Sequence, residues 1–436
     1  MYYFPIQIPR FLAVVLAFAL MLPSACSTTA SLPSGTELPP AMGWSQTFGS
    51  PGDDGASTVA VDGSGNVIVG GWTTGALTGE PNRGGHDAFV RKFSPTGEEQ
   101  WTVQFGTEGE DATEGVAANE DGRVYVAGRV EGVVPGQVDA GGGDAFVAVY
   151  AADGGEVWLR QFGTDELDWG EDVAVDNEGS VFISGSTSGA FPGEENASLA
   201  DNYVRRFDAA GSSAWTQQLG SDEGNGATSV VVDKQGNVYL VGSTLGPLPG
   251  TDHIGSGDVF VGKYDVAGTE LWSREYGSIG GDAAISAALD KAGNLYIVGS
   301  TRGIWEGQVR IGGFLDAFLL VFDPAGQLLK TVQFGTTGSD MASGVAVDGE
   351  GNVYVAGRTD GAFRRYANKG GFDAFAAKFD VEGEALWTVQ FGSAADDFAF
   401  DITVDSNGNI YVAGLGHLTA VAPAAPPDAW VAQFKQ

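Results

Sequence analysis

The chain has 436 residues, among them 68 glycines, and a formal net charge of −34 from 56 acidic and 22 basic side chains. The negative charge argues against a nucleic-acid-binding protein, because phosphate backbones require a basic surface, and against adsorption to anionic lipid headgroups. Because no long acidic run is present, we interpret the acidity as a solubilising charge; attraction of cations or basic partners is the alternative.

Residues 1–26 are interpreted as an export signal. The apolar run from Phe11 to Leu22 is too short to span a bilayer comfortably. The following Pro23-Ser-Ala-Cys26 resembles a bacterial lipoprotein signal, in which small residues precede the cysteine that becomes the lipidated N-terminus, although Pro23 stands where that family usually has Leu. The resemblance implies lipidation of Cys26 and a membrane-anchored lipoprotein at the bacterial envelope. The alternative is an ordinary secretory signal and a secreted or periplasmic protein.

Cys26 is the only cysteine, so an exported form of this chain has no internal disulfide and must be held together by packing. Residues 27–43 are rich in Ser, Thr and Pro and lack hydrophobic periodicity. They predict a flexible tether between the anchor and the folded body. From residue 44 to residue 436 the repeats described next leave no room for a second domain.

The body of the chain is a seven-fold repeat. A string similar to Trp-x-x-Gln-Phe-Gly recurs every 57 residues, with one interval of 58. A period of this length indicates repeated supersecondary units. The strings begin at Trp44, Trp101, Trp158, Trp215, Trp272, Lys330 and Trp387.

Each repeat predicts four β-strands, called a, b, c and d. In the first full unit, strands a and b contain the apolar runs Val59–Val61 and Val67–Val69, and such runs indicate burial on both faces of a sheet. Strand d, Gln100–Gly106, alternates apolar and polar residues, which is typical of a half-exposed strand near the rim. The a–b turn opens with Asp62 and ends with Gly65, which predicts a tight hairpin with positive φ at the glycine.

The two ends of the body predict a closed ring. The body opens with a lone d-type strand, Trp44–Gly49, and stops after a c-type strand, Asp428–Phe434. Pairing these two strands completes a seventh unit, and a ring of units needs no end caps. We therefore predict an all-β, seven-bladed β-propeller with four antiparallel strands per blade, closed by the N-terminal strand 44–49.

The repeat also resembles a known family. The string Gly-Val-Ala-Val-Asp-x-x-Gly-Asn-Val-Tyr-Val-Ala-Gly at Gly344–Gly357, followed by Gly-Gly-x-Asp-Ala-Phe at Gly370–Phe375, is similar to the bacterial seven-bladed β-propeller (SBBP-type) repeat. The resemblance extends over residues 44–436 and implies an exported bacterial propeller. It implies no particular reaction.

Two acidic positions recur in the repeats, near the start of strand a and the start of strand c. Recurrence in every blade favours a structural role, in which each carboxylate accepts backbone N–H groups. The alternative is a calcium site, for which the two doublets Asp53-Asp54 and Asp396-Asp397 are the candidates. The first position is Asp54, Asp111, Asp168, Asn225, Asp282, Asp340 and Asp397, and the second is Asp87, Asp144, Asp201, Asp258, Asp316, Asp373 and Asp428.

The b–c loops differ most between repeats, and variable loops on a rigid scaffold usually carry binding. An aromatic ring beside arginines can stack on a sugar or bind a carboxylate, although Tyr366 could instead pack against its own loop. The three histidines occupy non-equivalent loop positions and predict no metal triad. The ligand-binding candidates are Phe191, Trp305, Arg310, Arg364, Arg365 and Tyr366.

The leading functional hypothesis is a monomeric, non-enzymatic binding or scaffold module at the bacterial envelope. Its b–c loops would hold an envelope protein or a glycan, with no cofactor. A second hypothesis is a lyase or hydrolase acting on an envelope polysaccharide. It requires acids near the central axis that have no counterparts in other blades. A third is a calcium-supported adhesion module.

Overall fold

The computed structural model describes residues 37–77, 79, 81–197, 200–418 and 426–435. The predicted signal segment 1–26, its Cys26 and residues 27–36 of the predicted tether lie outside the described residues. Within the described ranges all regular structure is β-strand, so they contain no helix that could span a membrane.

The strands form seven four-stranded antiparallel sheets, which are the blades of a propeller, as predicted. In blades 1 to 6 the strands follow chain order from a to d, and in blade 7 the first strand of the chain takes the place of strand d. The closing strand is β1 (Ala41–Phe48). Blade 1 contains β2 (Asp54–Val61), β3 (Val67–Thr73), β4 (Asp87–Phe93) and β5 (Glu99–Phe105); blade 2 contains β6 (Ala112–Ala118), β7 (Val124–Val130), β8 (Asp144–Tyr150) and β9 (Glu156–Phe162); blade 3 contains β10 (Asp168–Val175), β11 (Val181–Thr187), β12 (Asp201–Phe207) and β13 (Ser213–Leu219); blade 4 contains β14 (Asn225–Val232), β15 (Val238–Thr244), β16 (Asp258–Tyr264) and β17 (Glu270–Tyr276); blade 5 contains β18 (Asp282–Leu289), β19 (Leu295–Thr301), β20 (Asp316–Phe322) and β21 (Leu328–Phe334); blade 6 contains β22 (Asp340–Val347), β23 (Val353–Thr359), β24 (Asp373–Phe379) and β25 (Ala385–Phe391); blade 7 contains β26 (Phe398–Val404), β27 (Ile410–Gly416) and β28 (Asp428–Lys435) together with β1.

The hydrophobic core lies between adjacent blades. Each a strand contacts the a strands of both neighbouring blades, and β2 contacts both β6 and β26, so the ring is continuous. Strands b and c are almost wholly buried, whereas β5 starts exposed and ends half-buried. This gradient confirms the prediction that strand d lies at the rim.

The N-terminal strand closes the ring as predicted. β1 pairs antiparallel with β28 from Ala41 opposite Lys435 to Phe48 opposite Ala429. The strand starts at Ala41 rather than at residue 44, so part of the segment predicted as tether is ordered. Just before it, the Glu37 carboxylate lies 3.2 Å from Lys378 Nζ of blade 6. Sheet margins that would otherwise be open are thereby paired.

The repeated tryptophan links one blade to the next. The Trp44 ring lies against the c–d turn of blade 1, where a Cβ on Gly97 would be 2.8 Å from the indole. Its Nε1 donates a hydrogen bond to the Pro95 carbonyl at 3.1 Å. Trp101 and Trp158 make the same contact with the turns of the following blades. Gly97 has φ of 85°, which only glycine adopts at little cost.

The a–b turns are as predicted. Asp62 Oδ1 accepts the backbone N–H groups of Ser64 and Asn66, both at 2.9 Å. Gly65 ends the turn with φ of 79°. Because equivalent bonds recur at Asp176, the acid at this position is a turn former.

Candidate functional site

The b–c loops and the d–a connections lie together at one face of the ring, where one hydrogen-bonded link recurs. In blade 1, Gln104 Nε2 donates to Asp87 Oδ2 at 2.7 Å, and Gln104 Oε1 accepts the N–H of Leu77 at 2.9 Å. Asp87 Oδ2 also accepts the N–H of Arg83 at 2.9 Å. This Asp–Gln link joins strands c and d to the b–c loop, so the acid at the start of strand c accepts backbone N–H groups.

The acids proposed for calcium are engaged by the fold. Asp54 Oδ2 accepts the N–H of Ser50 at 2.6 Å, and Asp397 accepts the N–H groups of Ser393 and His417, both at 2.6 Å. Burial raises the pKa of Asp54 and of Asp397.

The neighbouring acids of the two doublets differ in their contacts. Asp396 Oδ1 accepts the N–H of Phe372 at 2.9 Å, while the backbone carbonyl of Asp53 accepts the N–H of Thr74 at 3.1 Å. Burial also raises the pKa of Asp53. In the described ranges, none of the four doublet acids belongs to a group of three potential ligand atoms within reach of one another. Calcium binding by these acids stays a prediction.

Two of the predicted aromatic candidates lie inside the protein. The side chains of Phe191 and Trp305 are 1% and 4% exposed. Their backbone N–H groups bond the Gln of the Asp–Gln link, as Leu77 does in blade 1. Their rings therefore fill the base of the loop rather than face solvent. The sequence contained a signal for this burial, because an apolar residue follows each Thr-x-Gly-x string at Leu77, Phe191 and Trp305.

Arg310 holds its own loop together. Its guanidinium donates to the carbonyls of Arg302 at 3.2 Å and Gly313 at 2.9 Å. In blade 1 the Asn82 amide donates to the Thr74 carbonyl, also eight residues earlier, at 2.7 Å. Arg310 thus takes the position that an asparagine holds in a sister loop, and this contact accounts for its orientation.

The cluster Arg364-Arg365-Tyr366 does reach the surface. Arg364 and Arg365 are exposed, while Tyr366 is half-buried against the core between blades 5 and 6. Burial raises the pKa of the Tyr366 hydroxyl. The Tyr366 N–H bonds the Phe363 carbonyl at 2.9 Å and closes a turn. The Tyr366 ring therefore packs against the core between blades 5 and 6, whereas the alternative expectation was packing against its own loop.

The backbone at Arg365 is unusual. Its φ is 77°, and no other non-glycine residue in the described part of the chain has positive φ. A side chain in this left-handed region costs about 1–2 kcal/mol relative to right-handed backbone. The five sister loops place glycine at the same position of the turn, with φ between 76° and 93°. These glycines are Gly79, Gly136, Gly193, Gly250 and Gly307.

Exposed apolar side chains lie on the neighbouring loops of blades 4 and 5. Backbone hydrogen bonds join the loops in series, from Ser256 N to Gly280 O and from Arg302 N to Gly281 O, each at 3.0 Å. The series continues from Asp360 N to the carbonyl of Ser339 at 3.1 Å. We call this region the blade 4–6 surface, and it comprises Ile254, Ile279, Ile304, Val309, Phe314, Arg364 and Arg365.

Blade 4 replaces the Asp–Gln link with a different cluster. Glu275 stands where blade 1 has Gln104, and His253 Nδ1 lies 3.1 Å from Glu275 Oε2 and 3.3 Å from Asp258 Oδ2. Burial raises the pKa of Asp258 to about 6. One of the three histidines joins two carboxylates in this cluster, which the sequence did not predict. The available signal was the single Glu in the recurring Gln position.

Two glutamates near the axis of the ring also lack counterparts. Glu114 and Glu171 lie on the adjacent innermost strands β6 and β10, and Ser57 and Thr228 hold the equivalent positions in the flanking blades. Arg129 Nε is 3.7 Å from Glu114 Oε1. Burial, reinforced by the negative charge of Glu114, raises the pKa of Glu171 to about 8.

The geometry can be compared with known proteins. Residues 157–192, 214–249, 330–364 and 386–417 match the family described as "SBBP: Beta-propeller repeat". The regulatory protein FlaEY of Caulobacter vibrioides is 27% identical over 368 residues, covering 72% of this chain and 38% of that protein. An uncharacterized WD repeat-containing protein of Acanthamoeba polyphaga mimivirus is 21% identical over 435 residues, covering 82% of this chain and 29% of that protein.

Among solved structures, the WD40 domain of Neurospora crassa Pan2 superposes with a TM-score of 0.54 at 11% identity, covering 93% of this chain and 98% of that one. At this identity the likeness concerns the fold alone. The chain spans well under half the length of the two curated relatives. The protein is thus a seven-bladed β-propeller, and four segments of its repeat match the SBBP β-propeller repeat.

Proposed function

We propose that this propeller is a non-enzymatic binding module of the bacterial envelope that holds a protein partner on its blade 4–6 surface. The single observation that carries the proposal is Arg365, a charged residue in a backbone conformation that five sister loops assign to glycine. The envelope location rests on the resemblance of the N-terminal segment to a lipoprotein signal.

The strain at Arg365 supports a binding role because the fold can form this turn without a strained residue. The same turn forms in blade 5 with Gly307. Within the described residues, the guanidinium groups of Arg364 and Arg365 have no hydrogen bond or ion pair, so folding gains no polar contact from them. Strained residues that persist without a structural benefit tend to lie at functional sites.

The surroundings indicate the chemistry of the partner. Ile279 is 88% exposed and Phe314 is 52% exposed, and exposed apolar side chains on neighbouring loops favour a protein surface as the partner. Arginine binds carboxylates through paired N–H groups and is frequent among residues that dominate binding energy. The partner we infer is therefore a protein with an apolar patch flanked by Asp or Glu.

The test is capture from envelope extracts by the immobilised full chain. We expect Arg364→Ala/Arg365→Gly to lose the captured protein while its circular dichroism stays unchanged. Arg83→Ala is the matched control, since Arg83 is an exposed arginine on the b–c loop of blade 1. Equal capture by all three proteins contradicts the proposal. Capture that survives protease treatment of the extract and disappears after glycan digestion would instead assign the surface to a glycan.

The paired glutamates favour a second candidate function, hydrolysis or elimination on a polysaccharide. A Glu171 carboxyl whose pKa burial raises to about 8 has the property of a general acid, and a second carboxyl, Glu114 beside Arg129, lies on the adjacent strand. The test is depolymerisation of envelope polysaccharides by native protein and by Glu171→Gln. Activity that is lost in Glu171→Gln supports the enzyme, and inactivity of the native protein on every polymer removes it.

A further inference from the structure

The cluster in blade 4 differs from its sister blades in charge as well as in shape. In blades 1, 2, 3, 5 and 6 the glutamine amide donates to the aspartate at 2.7–3.0 Å. Glu275 has no such hydrogen to donate when ionised, so it places a second carboxylate beside Asp258. Two buried carboxylates side by side are unfavourable unless a proton or a cation lies between them.

His253 accompanies this exchange. It stands five residues before Asp258, where the b–c loops of blades 1 and 6 have Asn82 and Asn368. The two replacements occur in the same blade and bring one nitrogen and two carboxylate oxygens to within 4.8 Å of one another. Glu275 keeps the other half of the link, because its Oε1 still accepts the N–H of Leu248 at 2.5 Å. Its Oε2 is thereby left pointing at His253.

The separations suit a transition-metal ion. Ligands at about 2.0 Å from a tetrahedral zinc lie about 3.3 Å apart, and His253 Nδ1 is 3.1 Å and 3.3 Å from the two carboxylates. The Asp258 side chain is fully buried; its Oδ2, which faces His253, also accepts the N–H of Ile254 at 2.6 Å, and the Nε2 of His253 has no hydrogen-bond partner. An imidazole ligand disfavours calcium, which takes six to eight oxygens.

We propose that His253, Asp258 and Glu275 bind one divalent transition-metal ion, with zinc as the best match, and that the ion fixes the b–c loop of blade 4. Each of the three side chains supplies one ligand atom, and a water molecule or solvent ligand completes the tetrahedron. The site is independent of the partner proposed above, although Ile254, the next residue after His253, belongs to the blade 4–6 surface.

The test is titration of the full chain, purified without an affinity tag and stripped with chelator, with Zn²⁺ by calorimetry and with Co²⁺ by visible absorption. We expect one equivalent to bind, a tetrahedral Co²⁺ spectrum, and a Tm that rises with Zn²⁺ concentration. Absence of binding by the native chain overturns the proposal and leaves a direct contact of His253 with the two carboxylates as the role of the cluster.

The decisive variant is His253→Asn/Glu275→Gln, which restores the side chains found in blade 1. We expect its Zn²⁺ affinity to fall by about 100-fold or more, because two of three ligands are replaced, while its metal-free Tm is maintained. His86→Asn is the control, since His86 lies in blade 1 outside the cluster, and it should bind Zn²⁺ as the native chain does. Undiminished binding by the double variant would also overturn the proposal. If the double variant fails to fold, Glu275→Gln alone decides the same question.

Discussion

The conformation of Arg365 predicts a substitution that stabilises the protein and weakens its binding. In Arg365→Gly the strain of a side chain at φ of 77° is removed, which is worth about 1–2 kcal/mol. Part of this gain is offset, because glycine has more conformational freedom in the unfolded chain by about 0.5–1 kcal/mol. We therefore expect the free energy of unfolding to rise by about 0.5–1 kcal/mol.

The reverse substitution is available in blade 5. Gly307 has φ of 76°, and a Cβ built there meets no heavy atom within 4 Å, so a side chain fits without a clash. Gly307→Arg should therefore lower the free energy of unfolding by a similar net amount, because it adds the backbone strain and removes the extra conformational freedom of glycine in the unfolded chain. Comparing Arg365→Gly with Gly307→Arg separates the effect of the backbone φ angle on stability from the effect of side-chain contacts.

The assay is differential scanning calorimetry of both variants beside the native chain. Unfolding entropy is about 2 cal/mol/K per residue, so 1 kcal/mol shifts the Tm of a chain of this length by only about 1 °C, and replicate scans are required. Opposite shifts of the two variants are expected. A fall in Tm for Arg365→Gly, or no change for Gly307→Arg, would refute the reasoning.

Two other predictions concern the closure of the ring and the response to pH. Phe48→Ala should lower the free energy of unfolding in urea by about 2–3 kcal/mol, because the half-buried Phe48 ring of the closing strand packs 5.8 Å from Phe89; an unchanged urea midpoint would show that closure contributes little. Burial raises the pKa of Asp340 to about 7, so the folded state holds this proton more tightly than the unfolded chain does, and stability should fall as the pH rises from 3.8 toward 7. Asp340→Asn, which copies Asn225 of blade 4, should reduce this dependence in urea titrations at pH 5 and pH 8, and an unaltered dependence would contradict the assignment to Asp340.

The architecture could be predicted because its signals are local. The turn at Gly65 and the apolar run Val67–Val69 lie within a few residues of one another, and both recur in each repeat. The unmatched strands at the two ends then required closure, and β1 pairs with β28 as expected. The bounds of β1 differ slightly from the predicted 44–49, because its pairing with β28 starts at Ala41 and ends at Phe48.

The roles of individual loop residues were harder to predict, since they depend on partners far along the chain. Phe191 bonds Gln218, which is 27 residues later on strand d, and Trp305 bonds Gln333 in the same way. Without knowledge of that pairing, the sequence predicts that both aromatic residues lie in exposed loops. Arg365 is different, because its loop turn is local and the departure from glycine at the positions of Gly250 and Gly307 is visible in the sequence.

The amino-acid sequence by itself determined the repeat, the number of blades and the strand that closes the ring, because periodicity and turn chemistry act within a single repeat. Tertiary structure alone decided that His253 meets Glu275, 22 residues away, and that Glu114 and Glu171 lie on adjacent innermost strands, where burial and the charge of Glu114 raise the pKa of Glu171. The physical reason is that strand register and the packing of neighbouring blades bring these side chains together, and neither is contained in the local pattern of any one repeat.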